Sequence, residues 1–373
     1  MLGSFPGIPP ELVQQLRRGQ PQPPRTPPPT SGLAEPKEPD ATIAVFDNFV
    51  GAQNGTTHGE EVEAVLMQTG GFQDEDIQRF QASSGGSKQG MRNATTPEQF
   101  GDELNRYIVD TQAGMLDSTS DNLAKILSDP NSKIKTINQS NSQSEAKVAE
   151  NLYQEANNNP QFRARLEQEL GLPPGASKRE FLQALVNRVD QVSEKSPELK
   201  QERARYEKLS AEADRRGITH VVTPGNLGDF ARHLEKQGVK VDDDFYRSVL
   251  TNEHTLTVGA SDDRGTATSR DDRPAHFTTP DAGVEVSTNG TNVRMTVDGQ
   301  QRSQNGTSFA APQVAAVAAQ MKEANPNLTD EQIEAILKQS ATPVPGTEAR
   351  LGEGNIQPDV AVTLAFLSGR PLG

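Results

Sequence analysis

Cysteine is absent from all 373 residues, which excludes a disulfide framework and a cysteine metal site and leaves the redox compartment open. Apolar residues are scarce as well, at 32% with a mean hydropathy of -0.69, so part of the length lies outside any compact core. No stretch approaches the length and apolarity of a membrane span. Met1 to Leu16 lacks a basic start and an apolar run and is broken by prolines, unlike a conventional secretory signal. The expected location is the cytoplasm, or outside it by a route that uses no such signal. Positive charge is in deficit too: 37 basic against 51 acidic residues give a net charge of -14. That balance argues against a nucleic-acid partner and for a soluble chain with a weak preference for basic substrates or cations. There is no internal repeat.

What is present divides the chain unevenly. Residues 1–40 are crowded with proline (Pro21, Pro23, Pro24, Pro27, Pro28, Pro29) and cannot bury a core. At most a brief helical turn around Pro10–Leu16 is expected there. The globular part is expected to span 41–373, opening with Thr42-Ile43-Ala44-Val45-Phe46, a buried parallel strand that ends in Asp47. In an open α/β sheet the C-terminal end of a strand is the usual place for chemistry. His58-Gly59 then opens a helix with Val62, Val65 and Leu66 on one face. A weak strand is expected at Asp76–Phe80, a helix from Thr96-Pro97-Glu98 towards Leu127, and a strand at Lys133–Asn138. From Ser144 to Arg216 the chain is helical and charged, divided by Pro160, Pro173-Pro174 and Pro197 into about four helices. Its mixed charge reads as a solvated helical insertion, a possible docking point for a protein partner. Strands follow at Thr219–Val222, Leu256–Ala260 and Val284–Ser287. Strands alternating with helices indicate an α/β fold with a mostly parallel sheet covered on both faces.

The most informative run is Asn305-Gly306-Thr307-Ser308-Phe309-Ala310-Ala311-Pro312-Gln313-Val314-Ala315. Gly306 permits a sharp bend, and the small residues behind Ser308 permit close packing. Ser308 then stands at a helix N-terminus, where backbone N–H groups favour developing negative charge. Any one of these residues would be ordinary in a helix cap; the whole run is not. A serine nucleophile needs a base held by a third group. Of the five histidines only His58 follows a sharp loop and starts an apolar-faced helix, and Asp47 precedes it at a strand end.

The serine run resembles the nucleophile motif of the subtilisin-like serine proteases, and the order Asp47, His58, Ser308 matches that family's order. The resemblance spans roughly residues 41–367, interrupted by 144–216. It implies a three-layer subtilisin-like fold and a serine endopeptidase acting on protein or peptide substrates, with Ser308 as nucleophile, His58 as general base and Asp47 as its orienting partner. Thr223-Pro224-Gly225-Asn226 is similar to the family's Gly-Asn segment, which implies that the Asn226 amide joins the Ser308 N–H in an oxyanion hole. Ser140-Asn141-Ser142 resembles the strand flanking the specificity pocket, with Thr223, Pro224 and Gly225 as the other wall. No cofactor is required by this chemistry.

The departures are specific. The aspartate is followed by Asn48-Phe49 rather than Ser or Thr and then Gly, and the Asp-to-His interval is short. Glu60-Glu61 replaces the family's Thr-His after the histidine glycine, and Asn141-Ser142 replaces a Leu-Gly pair. Asn48 retains the ability to bond the local backbone. These changes leave open an alternative, a weak or inactive relative that serves as a binding scaffold through its helical insertion. Calcium is common in the family, and Asp242-Asp243-Asp244 and Asp271-Asp272 supply oxygens, but no spacing matches a dedicated loop and no metal site is assigned. Phe5-Pro6-Gly7-Ile8-Pro9-Pro10 is a candidate inhibitory segment for the cleft, since prolines preset an extended backbone; a disordered tail is the competing expectation.

Overall fold

A computed structural model describes residues 42–51, 55–264 and 272–368. The proline-rich stretch, with its expected helical turn and candidate inhibitory segment, lies outside the described residues, as does Asp271.

Strand β1 (Ile43–Asp47) is buried along its whole length. Ile43 and Val45 pack into one core while Ala44 and Phe46 pack into another. Side chains alternate across a strand, so burial on both faces produces a continuous apolar run. On one side β1 pairs in parallel with β2 (Ile77–Gln81), and on the other with β3 (Thr136–Gln139). The sheet continues in parallel through β4 (Thr219–Val222) and β5 (Leu256–Asp262). Beyond β5 lie the two-residue antiparallel β6 (Arg273–Pro274) and the parallel β7 (Val286–Asn289).

Between β1 and β2 comes α1 (His58–Gly70); α2 (Gln89–Asn93) and the long α3 (Pro97–Ser128) precede β3. Four helices separate β3 from β4: α4 (Glu145–Asn158), α5 (Pro160–Glu169), α6 (Lys178–Lys195) and α7 (Pro197–Arg215). Pro160 and Pro197 each occupy a first turn, where a missing N–H costs nothing, and Asn159 and Ser196 cap those helices. Helix α8 (Gly228–Lys236) follows β4. After a hairpin of β8 (Val293–Val297) and β9 (Gln300–Gln304), the chain closes with α9 (Thr307–Ala324), α10 (Asp330–Ser340), the short α11 (Glu348–Leu351) and α12 (Pro358–Ser368).

Three layers result. One face of the sheet is covered by α1, α9, α10 and α12, the other by the second half of α3 and by α7. A further core joins α4, α5 and α6, but Phe100, Leu104 and Ile108 of α3 and Phe230 and Leu234 of α8 also enter it. The helical body therefore extends beyond residues 144–216 on both sides.

Several boundaries differ from expectation. The strand expected at 133–138 begins at Thr136 and ends at Gln139, and that expected at 284–287 runs from Val286 to Asn289. The β8–β9 hairpin was not expected at all. Its signal is present, because Val293, Met295 and Val297 alternate inward and Asp298-Gly299 forms the turn with φ of 49° and 75°.

Helix α1, which carries His58, is set by a capping box: the Thr57 side chain accepts from Glu60 N, and the Glu60 carboxylate accepts from Thr57 N at 2.7 Å. Thr57→Ala is expected to cost about 1 kcal/mol of unfolding free energy, measured by urea denaturation. An unchanged midpoint would mean that packing alone holds this helix end.

Candidate active site

Asp47 ends β1 at the C-terminal edge of the sheet and is fully buried. One carboxylate oxygen, Oδ1, takes the Asn48 N–H at 2.6 Å and lies 2.7 Å from His58 Nδ1. The other, Oδ2, is buried with no hydrogen-bond partner among the described residues. A buried carboxylate in this state is compensated mainly by the imidazole N–H, which fixes the tautomer with Nε2 free to accept a proton. The short loop from Asp47 to His58 is closed locally. Asn48 C=O accepts from Gly59 N at 3.0 Å, and Asn48 Oδ1 accepts from Val50 N at 3.1 Å, the local bond expected of it.

Ser308 is the second residue of α9 and is 6% exposed. Its N–H lies in the first turn, where no intrahelical acceptor exists. Asn226, in the loop after β4, accepts the Thr307 N–H on Oδ1 at 2.9 Å and the Thr307 hydroxyl at 3.1 Å. Because a backbone N–H must face the amide oxygen, Nδ2 of Asn226 is turned away from Thr307. A Cβ placed on Gly306 would sit 3.0 Å from Ser308 Oγ and 3.3 Å from Asn226 Nδ2. Glycine at 306 therefore keeps a side chain from crowding the Ser308 hydroxyl and the Asn226 amide. His58 and Ser308 line the same cleft of about 330 Å³, with the rings of His58 and Phe309 5.7 Å apart. Ser308 Oγ makes no hydrogen bond to the imidazole among the described residues, a separation common in unliganded sites that close around substrate.

The expected wall residues Ser140, Asn141, Ser142, Thr223 and Gly225 line this cleft, together with Asn226. Pro224 does not: it is buried and absent from the cleft lining, although Thr223 and Gly225 on either side of it belong to that lining. The other histidines are elsewhere. His220 lies buried in β4 against Gln139, its pKa pushed down by burial to about 3, and His254 pairs with Asp214 at 2.7 Å. Neither lines the cleft. The run Asp242-Asp243-Asp244 is an exposed turn. Among the described residues no group of three or more His, Asp or Glu side chains is arranged to hold a metal ion.

Glu61 was visible in the sequence only as a departure. It is 8% exposed, and its carboxylate accepts from Gln304 Nε2 at 3.1 Å and from Arg302 Nη1 at 3.4 Å. The helix of His58 is thereby tied to the strand that leads into Ser308. A second hollow, bordered by Glu61, Arg302, Gln304 and Asn305, adjoins the cleft at His58 and Ser308. Burial, the largest influence on His58, pulls its pKa down. The hydrogen bond to Asp47 and the charges of Asp47 and Glu61 together outweigh it, so the pKa lies above its ordinary value.

A carboxylate–imidazole pair, a helix-terminal serine and an asparagine amide thus line one cleft, a set of groups with the chemistry that hydrolysis needs. The family model described as the subtilase family (Peptidase_S8) matches residues 104–355, about two thirds of the chain, and the chain belongs to that family. The matched span contains Asn226 and Ser308; Asp47 and His58 precede it. Alkaline elastase YaB of Bacillus sp. (strain YaB) is 38% identical over 96 residues, covering 26% of this chain and 25% of that protein. Serine protease AprX of Bacillus subtilis (strain 168) is 30% identical over 143 residues, 33% of this chain and 30% of its own. The chain thus matches only about a quarter to a third of the length of these relatives. The crystal structure of MycP1 from Mycobacterium smegmatis aligns over 86% of this chain and 79% of that one, with 18% identity and a TM-score of 0.47.

The electrostatic arrangement at His58 has a direct consequence. In an NMR titration the His58 midpoint is expected above the ordinary value of about 6.5. Glu61→Gln should move it lower, since a negative charge that favoured the imidazolium is removed while the hydrogen-bonding shape is kept. A midpoint unmoved by the substitution would show that Glu61 has no electrostatic hold on the histidine.

Proposed function

We propose that the protein is a serine endopeptidase that cleaves protein or peptide chains through an acyl-enzyme on Ser308. The observation that carries this reading is the 2.7 Å bond between buried Asp47 and His58 in a cleft that also holds Ser308 and Asn226. In this reading His58 Nε2 takes the Ser308 hydroxyl proton as Oγ attacks the scissile carbonyl. The oxyanion that forms is met by the Asn226 amide and the Ser308 N–H, both set before the reaction begins. His58, now an imidazolium beside Asp47, returns the proton to the leaving amine, and a water repeats the sequence in reverse. Because His58 must be neutral to act as base, turnover should fall as pH drops through its raised pKa.

The helical body formed around α4–α7 is, in the same reading, the surface for a protein partner that restricts proteolysis. A binding scaffold without catalytic activity is the competing reading, and it rests on the altered loops around Asp47 and His58 and on the lack of a hydrogen bond between Ser308 Oγ and the imidazole among the described residues. A fluorophosphonate probe separates the two. Wild-type protein is expected to be labelled at Ser308, and Ser308→Ala and His58→Ala to lose labelling. Asn226→Ala should lower kcat on a peptide substrate by about 10²- to 10³-fold with a smaller effect on KM. Absence of labelling in the folded wild-type protein would leave the scaffold reading standing.

A further inference from the structure

One wall of the cleft presents hydrogen-bond donors that the peptidase reading alone does not use. Gln139 Nε2 donates to Asn141 Oδ1 at 3.2 Å, so the oxygen of Asn141 is taken and its N–H₂ is left over. Asn138 Nδ2 donates to Ser140 Oγ at 3.0 Å, and Lys147 N donates to Ser144 Oγ at 3.1 Å. Each serine oxygen already serves as acceptor there, and its hydroxyl hydrogen remains free to donate. Ser140 and Ser144 are 4% and 2% exposed, so bulk water reaches them poorly. Lys147, in the first turn of α4, lines the same cleft. Its ammonium has three N–H groups and is 2.7 Å from Glu150 Oε2, an attachment that holds it in place and leaves two donors. Leu227 is the single aliphatic side chain lining the cleft among the described residues. An apolar side chain placed against this wall would leave these donors without acceptors.

We propose that this pocket takes an acidic side chain, glutamate or aspartate, on the residue whose carbonyl Ser308 attacks, and that Lys147 is the specificity-determining residue. The inference rests on the peptidase reading. A carboxylate offers acceptors only and meets the left-over N–H and O–H groups without bringing a donor of its own. It also shares the Lys147 ammonium with Glu150, as a third member of a charge-assisted set. The chain's net charge of -14 opposes an acidic peptide at long range. That repulsion is screened by salt, whereas a half-buried contact in the pocket is screened much less. Selection therefore lies in the bound complex, not in the encounter.

The test uses the full chain and a set of peptide aldehydes that differ only at the terminal residue, read by protection of Ser308 from the fluorophosphonate probe. An aldehyde adds reversibly to the serine: the Oγ–C bond forms, the hydroxyl proton passes to the former carbonyl oxygen, and nothing leaves. The glutamyl aldehyde is expected to protect at about tenfold lower concentration than the leucyl aldehyde, with the lysyl aldehyde weakest. Lys147→Met should erase that advantage without weakening the leucyl aldehyde, and Lys147→Arg should keep it. Glu150→Gln, which removes the competing carboxylate, should enlarge it. Equal or better protection by the leucyl aldehyde, a ratio unmoved by Lys147→Met, or no protection by any aldehyde would overturn the proposal while labelling upholds the peptidase reading. Failure of Ser308 to label at all would remove that reading, and this inference with it.

Discussion

A buried carboxylate at the end of the central strand is the constraint around which this site is arranged. Asp47 has no exposure, and a charge in such a place is tolerated only when hydrogen-bonded and paired. The backbone N–H of Asn48 and the imidazole of His58 meet that need within eleven residues of chain. Everything that fixes His58 thus serves two ends at once. The Thr57–Glu60 capping box sets where α1 begins, the bond from Gly59 N to Asn48 C=O closes the loop, and the apolar face of α1 presses Val62 and Leu66 into the core. Removing the imidazole would disturb the fold's charge balance as well as its chemistry, because the carboxylate would stay behind unpaired.

The serine half of the site is held by different physics. Helix α9 is buried on nearly every face, and its run of alanines lets sheet and neighbouring helices come close. That rigidity is what gives the small groups at its N-terminus a defined direction. Asn226 reaches across from the loop after β4, and by spending its oxygen on Thr307 it keeps its N–H₂ for the cleft. Glu61 then links the two halves, since its partners Gln304 and Arg302 lie on the strand that leads directly into the serine turn.

How much of this was legible in the sequence follows from the range of each interaction. Strand β1, the start of α1, the four proline-punctuated helices and the serine turn are encoded by local pattern and capping, and all were readable. The β8–β9 hairpin carries a local signal too, an inward alternation of Val293, Met295 and Val297 ahead of Asp298-Gly299, but it is a short one. The contact from Glu61 to Gln304 spans 243 residues and has no local signature. The same holds for the pocket. Asn141 and Ser142 are visible in the sequence as substitutes for a Leu-Gly pair after Ser140, but which atoms of Ser140 and Asn141 are left for the cleft depends on Asn138 and Gln139 behind them. Lys147 read only as one charge among many in a solvated helical segment.

The family match begins at residue 104, after both Asp47 and His58, and this division coincides with the chemistry. The part of the site within the match is Asn226 and Ser308, in the loop after β4 and at the start of α9. The part outside it stands in a contracted loop with Asn48, Phe49, Glu60 and Glu61 in altered places. Geometry joins the two parts in one cleft. A buried aspartate with one unsatisfied oxygen is costly, and the imidazole that relieves it opens onto the cleft of Ser308. A pairing maintained only for stability would be served as well by an apolar residue at position 47, which carries no desolvation cost. The charge at position 47 thus has its main effect on the proton that His58 holds, since its hydrogen bond and its charge both raise the imidazole pKa.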